Sequence, residues 1–284
     1  MEREKIWTKD FLLLLMSNFF VSLTFYILMT TMAVYAIRQF NTTESKAGLA
    51  ASIFIIGTLL ARFIAGKFID VIGRTKMLYC GLILFLIGCI AYLSAESIEF
   101  LMVVRFIHGI GFGLVSTTLS TINMSTLPAN KKGEGMGYYS LSTATGTAIG
   151  PFLALYLTNN FGYNVLFISC ILFSVMALIS TALGTIVDID LTPEQKEKIK
   201  KSLHFQDFYD KQALPIALLM FICGIAYSGV ISFINLYASR LNLTKAASFF
   251  FVVYAVFLFV GRPVVGRIFD RRGENTVIYP SFIS

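Results

Sequence analysis

Long apolar runs separated by short polar breaks dominate the chain, and their spacing predicts eight membrane-crossing helices. A crossing helix needs about 20 mostly apolar residues. Such runs fall at Phe11–Ile37, Ala47–Ile69, Met77–Ala95, Phe100–Met124, Gly135–Thr158, Val165–Val187, Ala213–Ser239 and Ala246–Phe269. A ninth begins near Thr276 and reaches Ser284 too soon to cross. The pattern divides the chain into a six-helix bundle over 1–187, a polar connection over 188–212 and the start of a second bundle over 213–284. In the connection, Thr192, Pro193 and Gln195 supply an N-cap, a first-turn proline and a capping-box partner. The EQKEKIKKSL stretch then reads as a short charged helix on the membrane surface. A plain linker between bundles is the simplest role for it, and a lipid contact or regulation is the alternative.

Composition agrees with the pattern. The 284 residues are 56% hydrophobic and 14% charged, with a mean hydropathy of +0.75. Soluble domains carry about 25% charged residues, so this chain has too little polar surface for water and reads as an all-α membrane protein. The net charge of +7 does not point to nucleic acid, because the basic residues sit in short segments between apolar runs. Arg3, Lys5, Lys67, Arg74, Lys131 and Lys198 are among many that fall on one side, while Arg38, Lys46, Arg240 and Lys245 fall on the other. This is the positive-inside asymmetry, and it places the N-terminus in the cytoplasm of a multi-pass protein of the cell membrane. Cys80, Cys89, Cys170 and Cys223 are widely spaced inside apolar runs, which suggests neither a disulfide framework nor a metal site. The first run is too long for a signal-peptide core. HExxH, GxSxG, phosphate-loop glycines and paired membrane carboxylates are missing, so neither an enzyme, an ATP-driven machine nor a cofactor is expected. The Asn41-Thr42-Thr43 sequon reads as incidental.

One stretch returns. RFIAGKFIDVIGRTK over Arg62–Lys76 is matched two hundred residues on by GRPVVGRIFDRRGEN over Gly261–Asn275. Arg62 aligns with Arg262, Gly66 with Gly266, Lys67 with Arg267, Asp70 with Asp270 and Gly73 with Gly273. The helices before the two copies also end alike, VYAIR at Val34–Arg38 and LYASR at Leu236–Arg240. Six spans, a linker and a second start in the same idiom form a duplicated transporter layout. Gly66 would let a neighbouring helix approach closely. Each aspartate, at a helix end, could pair with arginines or accept backbone N–H bonds from an adjacent helix start. A static surface ion pair, worth about 0–1 kcal/mol, is the alternative.

On these residues the sequence resembles the major facilitator superfamily. Its signature after the second span is matched by Gly66, Asp70, Gly73, Arg74 and Lys76, and in the second half by Gly266, Asp270, Arg271, Arg272 and Gly273. The resemblance implies the major-facilitator fold, with these loops as a latch that steadies the outward-facing state. Two further stretches resemble family motifs. RFIHGIGFG in the fourth span carries Arg105, and the family associates such an arginine, with Gly109 four later, with proton transfer. An arginine within a span must face a cavity or partner, unless it snorkels to the interface. His108 stands where the family often has glutamine; it could titrate near neutrality or simply be a packed, hydrogen-bonded side chain. STATGTAIGPF in the fifth span carries Gly146, Gly150 and Pro151, a pattern that marks proton-antiporting exporters in the family. Ala154 and Leu155 replace its last two glycines, and ordinary close packing of Gly146 and Gly150 is the competing reading.

Family analogy puts the substrate between the bundles, with Asn18, Tyr26, Asn123, Tyr227 and Asn235 as candidate lining residues or as plain interhelical hydrogen-bonding groups. Twenty-seven phenylalanines suit an amphipathic organic ligand. Apart from Asp70 and Asp270, no carboxylate lies within a span. Proton coupling then rests on Asp70, Arg105 and His108, or on a carboxylate beyond Ser284, the preferred expectation. The resulting expectation is a secondary transporter, monomeric when full length, whose partners are a small-molecule substrate, protons and the lipid bilayer. It exports by alternating access as a proton antiporter. A proton-coupled importer and a truncated fragment without transport activity are the alternatives.

Overall fold

The computed structural model describes residues 5–189, 191–201, 210–240 and 244–283. Those residues form ten α-helices: α1 (Lys9–Phe40), α2 (Glu44–Ile72), α3 (Arg74–Ala91), α4 (Ile98–Thr126), α5 (Lys132–Asn160), α6 (Tyr163–Ala182), α7 (Pro193–Lys201), α8 (Leu214–Arg240), α9 (Thr244–Arg272) and α10 (Asn275–Ile283). Short 3-10 turns stand at Tyr92–Ser94 and Ala129–Lys131.

The helix ends follow from local chemistry. Thr8, Thr43 and Ser97 turn their hydroxyls onto the free N–H groups of Phe11, Lys46 and Phe100, capping α1, α2 and α4. Asn41 ends α1 in the left-handed region, φ 48°, so the Asn41–Thr43 triplet is a stop followed by a start. Gly73 separates α2 from α3 at φ 99°, where a side chain would be strained. The capping box is present: Thr192 and Gln195 exchange hydrogen bonds of 2.9 and 3.3 Å at the start of α7.

Among the described residues five helices are long and apolar enough to cross a bilayer by length and composition: α1, α2, α3 with its 3-10 extension, α4 and α6. α5 has 29 residues, ample length, but is rich in Gly, Ser and Thr. The reason lies in its neighbours, since α5 is packed between α1 on one side and α9 on the other. Leu12, Leu59, Phe63, Ile64, Ile83 and Ile87 are exposed, as expected where lipid rather than protein is the neighbour.

Within the first six helices α4 is the hub, packed on α2 and α3, while α1 joins α5 and α6. Between helices in lipid, close van der Waals contact replaces the hydrophobic effect as the driving force, and α4 supplies it with small residues. A Cβ at Gly109 would collide with the Phe54 carbonyl on α2, and one at Gly111 would sit 2.7 Å from the Phe85 nitrogen on α3. Around these crossings Ile27, Leu28, Met32, Leu82, Phe85, Leu101 and Phe167 form a continuous core. Among the described residues α8 contacts α9, and α7 touches α2.

Candidate functional site

The two copies of the repeat occupy the ends of α2 and α9 and are engaged differently. α5 begins at Lys132 with no side-chain cap of its own. Asp270, at the end of α9, supplies one: its carboxylate accepts from the Gly133 N–H at 2.7 Å and the Glu134 N–H at 2.8 Å. Charge-assisted bonds at a helix N-terminus are favoured by the unpaired N–H groups and the helix dipole together. Arg267 closes the ring, its Nε 2.6 Å from Glu134 Oε1 and its Nη2 3.1 Å from the Tyr138 hydroxyl. One turn deeper Arg262 donates to the Ser140 carbonyl at 2.5 Å. The close approach is made possible by glycines on both sides: a Cβ at Gly266 would strike the Gly133 carbonyl, and one at Gly137 would lie 2.7 Å from the Arg262 carbonyl.

Asp70 makes a local contact instead. It takes the Arg74 Nε at 2.9 Å, one turn on across Gly73, and Arg74, itself buried, donates to the Ser125 hydroxyl on α4 at 2.7 Å. A Cβ at Gly66 would meet nothing within 4 Å among the described residues, so the close helix approach expected there is not seen; the approach is found at Gly266. Lys76, Arg271 and Arg272 are exposed at the helix ends. Gly273 turns the chain at φ 82°. A residue that sequence reasoning passed over completes the first copy: Asp188, just after α6, accepts from the Thr75 N–H at 3.0 Å and caps α3. Asp10 likewise holds the Thr185 N–H at 2.8 Å, so both carboxylates fix the root of the connection to the bundle.

Arg105 is 1% exposed. Its guanidinium donates to the Ala50 and Ala51 carbonyls on α2 at 3.3 and 2.9 Å and lies 4.5 Å from the Phe54 ring centre. Its partners are neutral, and the snorkelling arrangement is not found. His108 is fully buried: Nδ1 lies 2.8 Å from the Tyr92 hydroxyl and Nε2 3.6 Å from Cys89 Sγ. Cys89 in turn stands 3.3 Å from the Ser174 hydroxyl, tying α3, α4 and α6 into one polar chain.

Gly146 and Gly150 face α1. A Cβ on Gly146 would reach the Leu23 nitrogen at 3.0 Å, and one on Gly150 the Tyr26 Cβ at 2.6 Å. Pro151 lies within α5, which continues through it. On the same α1–α5 seam, Asn18 donates to the Ser142 and Thr143 hydroxyls at 2.6 and 2.9 Å and accepts from Tyr139 at 2.9 Å. Tyr26 continues that face of α1 against Gly150. Asn123 is elsewhere: it is fully buried and bonded back to the Leu119 carbonyl of its own helix at 2.9 Å. Tyr227 on α8 accepts from the Tyr254 hydroxyl at 3.0 Å. Asn235 lies outside the residues whose side chains are described. A cavity of about 590 Å³ opens beside this seam between α4, α5 and α9, lined in part by Met136, Ser140, Phe257, Arg262 and Phe269. Among the described residues no cluster could hold a metal ion.

Packed apolar helices with a duplicated helix-end motif, one copy of which reaches across to α5, are the architecture of a polytopic membrane protein. Comparison with known proteins makes this specific. The sequence profile of the Major Facilitator Superfamily matches residues 14–284, and the chain belongs to that family. It is 26% identical to the staphylopine export protein of Staphylococcus aureus over 75% of this chain and 54% of that one. To the multi-drug resistance efflux pump PmrA of Streptococcus pneumoniae it is 26% identical, over 82% and 59%. To multidrug resistance protein 1 of Bacillus subtilis it is 23% identical, over 80% and 57%. The chain thus spans little more than half the length of these relatives. Among solved structures, the proton:xylose symporter XylE superposes with a TM-score of 0.61 at 16% identity, over 93% of this chain and 69% of that one. A peptide transporter POT variant in complex with alafosfalin superposes at 0.60 and 17% identity, over 87% and 52%. At these identities the structures establish the shared fold.

Proposed function

We propose that this chain works as a secondary transporter of the cell membrane, its N-terminus cytoplasmic, exporting a small amphipathic organic compound by alternating access as a proton antiporter. The observation that carries the reading is the Asp270 cap on α5, a contact between helices that this reading assigns to different bundles. Two charge-assisted bonds at about 1.5–3 kcal/mol each are strong enough to bias a conformational equilibrium and few enough to break in each cycle. Residues 1–187 and 213–284 are the bodies that rock, with 188–212 as their connection. The repeat loops, Gly66, Asp70, Gly73, Arg74 and Lys76 with Gly266, Asp270, Arg271, Arg272 and Gly273, latch the cytoplasmic face.

The export direction is supported by the Gly146–Gly150–Pro151 seam and by relatives whose names describe export and multidrug resistance. The α1–α5 seam around Asn18 and Tyr26 is the proposed substrate wall, with Tyr227 and Asn235 as the contribution proposed for the second bundle. Arg105 and His108 are assigned to proton coupling, supported by a charge buried against neutral partners alone; such a side chain responds strongly to any change of protonation around it. The test is gradient-driven flux of fluorescent amphipathic dyes in inside-out vesicles. Uptake into vesicles that are acid inside, abolished when the pH gradient is collapsed, is the expected result. Movement of substrate along with protons would establish the importer instead.

A further inference from the structure

The segment before α1 is folded against the same end of α5 that α9 holds. Ile6 is buried with Phe11 and Leu127 in a small core of its own. On α5, Gly135 leaves the space that the Leu127 side chain fills. The chain doubles back tightly at this point: the Thr8 N–H donates to the Ile6 carbonyl at 2.9 Å, while the Thr8 hydroxyl caps α1. With Ile6 turned in and Thr8 bent back, Trp7 lies over α5. Its ring centre is 4.6 Å from that of Tyr138 and 5.9 Å from that of Phe11. Trp7 is still 52% exposed, so it adds less to a core than a buried tryptophan does. What it covers on α5 is Tyr138.

Tyr138 is also where α9 takes hold. Arg267 uses two acceptors one turn apart on α5, Glu134 at 2.6 Å and the Tyr138 hydroxyl at 3.1 Å. Both lie beside the Asp270 cap on the Gly133 and Glu134 N–H groups. Tyr138 is only partly buried, and a phenol in such a place changes rotamer unless its ring is held. Trp7 lies against one side of that ring, and Ile6, Phe11 and Leu127 pack nearby. The segment is itself well anchored, since Asp10 in the first turn of α1 holds the Thr185 N–H at 2.8 Å. One aromatic side chain therefore stands between a fixed post and the arginine of α9.

We propose that Trp7 is a positioning residue for the α5–α9 contact, holding the Tyr138 ring so that its hydroxyl meets Arg267 when the cytoplasmic side closes. An acceptor ordered in advance costs less to engage than one ordered at each closure. Loss of the Trp7 ring leaves Asp270 and Glu134 in place, so it weakens the closed state without abolishing it. The proposal rests on the latch reading of Asp270 and extends it to the N-terminal segment.

The test reads the ratio of open to closed populations from spin labels at Asn130→Cys and Glu274→Cys in the otherwise cysteine-free full chain. An aromatic pair of this kind predicts that Trp7→Ala raises the ratio about two- to ten-fold, with Trp7→Phe restoring most of it. In a Tyr138→Phe background, which keeps the ring and removes the hydroxyl, Trp7→Ala should add less than about two-fold. Trp7 is the chain's one tryptophan, so its emission reads the contact directly. Tyr138→Ala should move that emission to longer wavelength and make it more accessible to acrylamide. Unchanged emission in Tyr138→Ala, or an equal effect of Trp7→Ala with and without the Tyr138 hydroxyl, would overturn the proposal. If Asp270→Ala raises the ratio and Trp7→Ala does not, the proposal falls and the latch reading stands. If neither raises it, the latch reading falls and takes the proposal with it.

Discussion

The two copies of the repeat differ in what their aspartates hold. Asp270 reaches across to α5, far away in the chain, and caps it, whereas Asp70 stays at home with Arg74. The glycines divide the same way, Gly266 pressed against Gly133 and Gly66 with no neighbour within 4 Å of an added Cβ among the described residues. Nearly identical sequences therefore do different work because of what stands opposite them. A helix-end motif is a half-site, and its meaning is completed by a partner far away in the chain.

The comparison can be broken from its strongest point downward. Gly266→Leu should have the largest effect, because its side chain must displace the Gly133 carbonyl; flux should vanish while the protein still inserts, and Gly66→Leu should keep at least half of wild-type flux. If both variants transport alike, the asymmetry is without consequence. Asp270→Ala removes two charge-assisted bonds, about 3 kcal/mol or more, and should favour cytoplasmic opening by about a hundred-fold, read by cysteine labelling on the cytoplasmic side. Asp70→Asn should also abolish flux under the latch proposal; full activity would sink that part. Its cytoplasmic labelling in this conformation should change less than that of Asp270→Ala. Arg105→Lys should cripple coupling, since an ammonium cannot hold two carbonyls and lie flat on Phe54 as a guanidinium does; normal transport would make Arg105 a packing anchor alone. Glu134→Gln should cost less than about five-fold, because the Glu134–Arg267 pair is partly solvated and surface pairs are worth about 0–1 kcal/mol.

Much of the fold was legible because it is written in the order of apolar runs. The helices α1 to α4 need little more than length and polar punctuation, and the turn at Gly73 and the box at Thr192–Gln195 are local signals. α5 shows where that ends. Its small and hydroxylated residues make a weak apolar run, and only the contacts with α1 and α9 explain them. The site was legible as residue types rather than as pairings. Asp70 and Asp270 stand out in the repeat, and the Asp70–Arg74 pair is a local spacing of four, but nothing nearby in sequence tells that Asp270 binds Gly133, 137 positions away. Asp188 was passed over because a capping aspartate 113 positions away from its N–H leaves no local pattern. Asn123 drew notice as a polar residue in a span, yet its amide nitrogen bonds back to its own helix while its buried amide oxygen has no partner among the described residues.

The most direct test of the central claim, that the Asp270 cap closes one side by joining two bundles, is a distance. Spin labels at Asn130→Cys, before α5, and Glu274→Cys, after α9, would be compared by double electron–electron resonance in the otherwise cysteine-free protein, with and without Asp270→Ala. A narrow short distance that becomes long and broad in the variant is the predicted result. Superimposable distributions in the two proteins would show that the cap is an ornament of the closed state and not its cause.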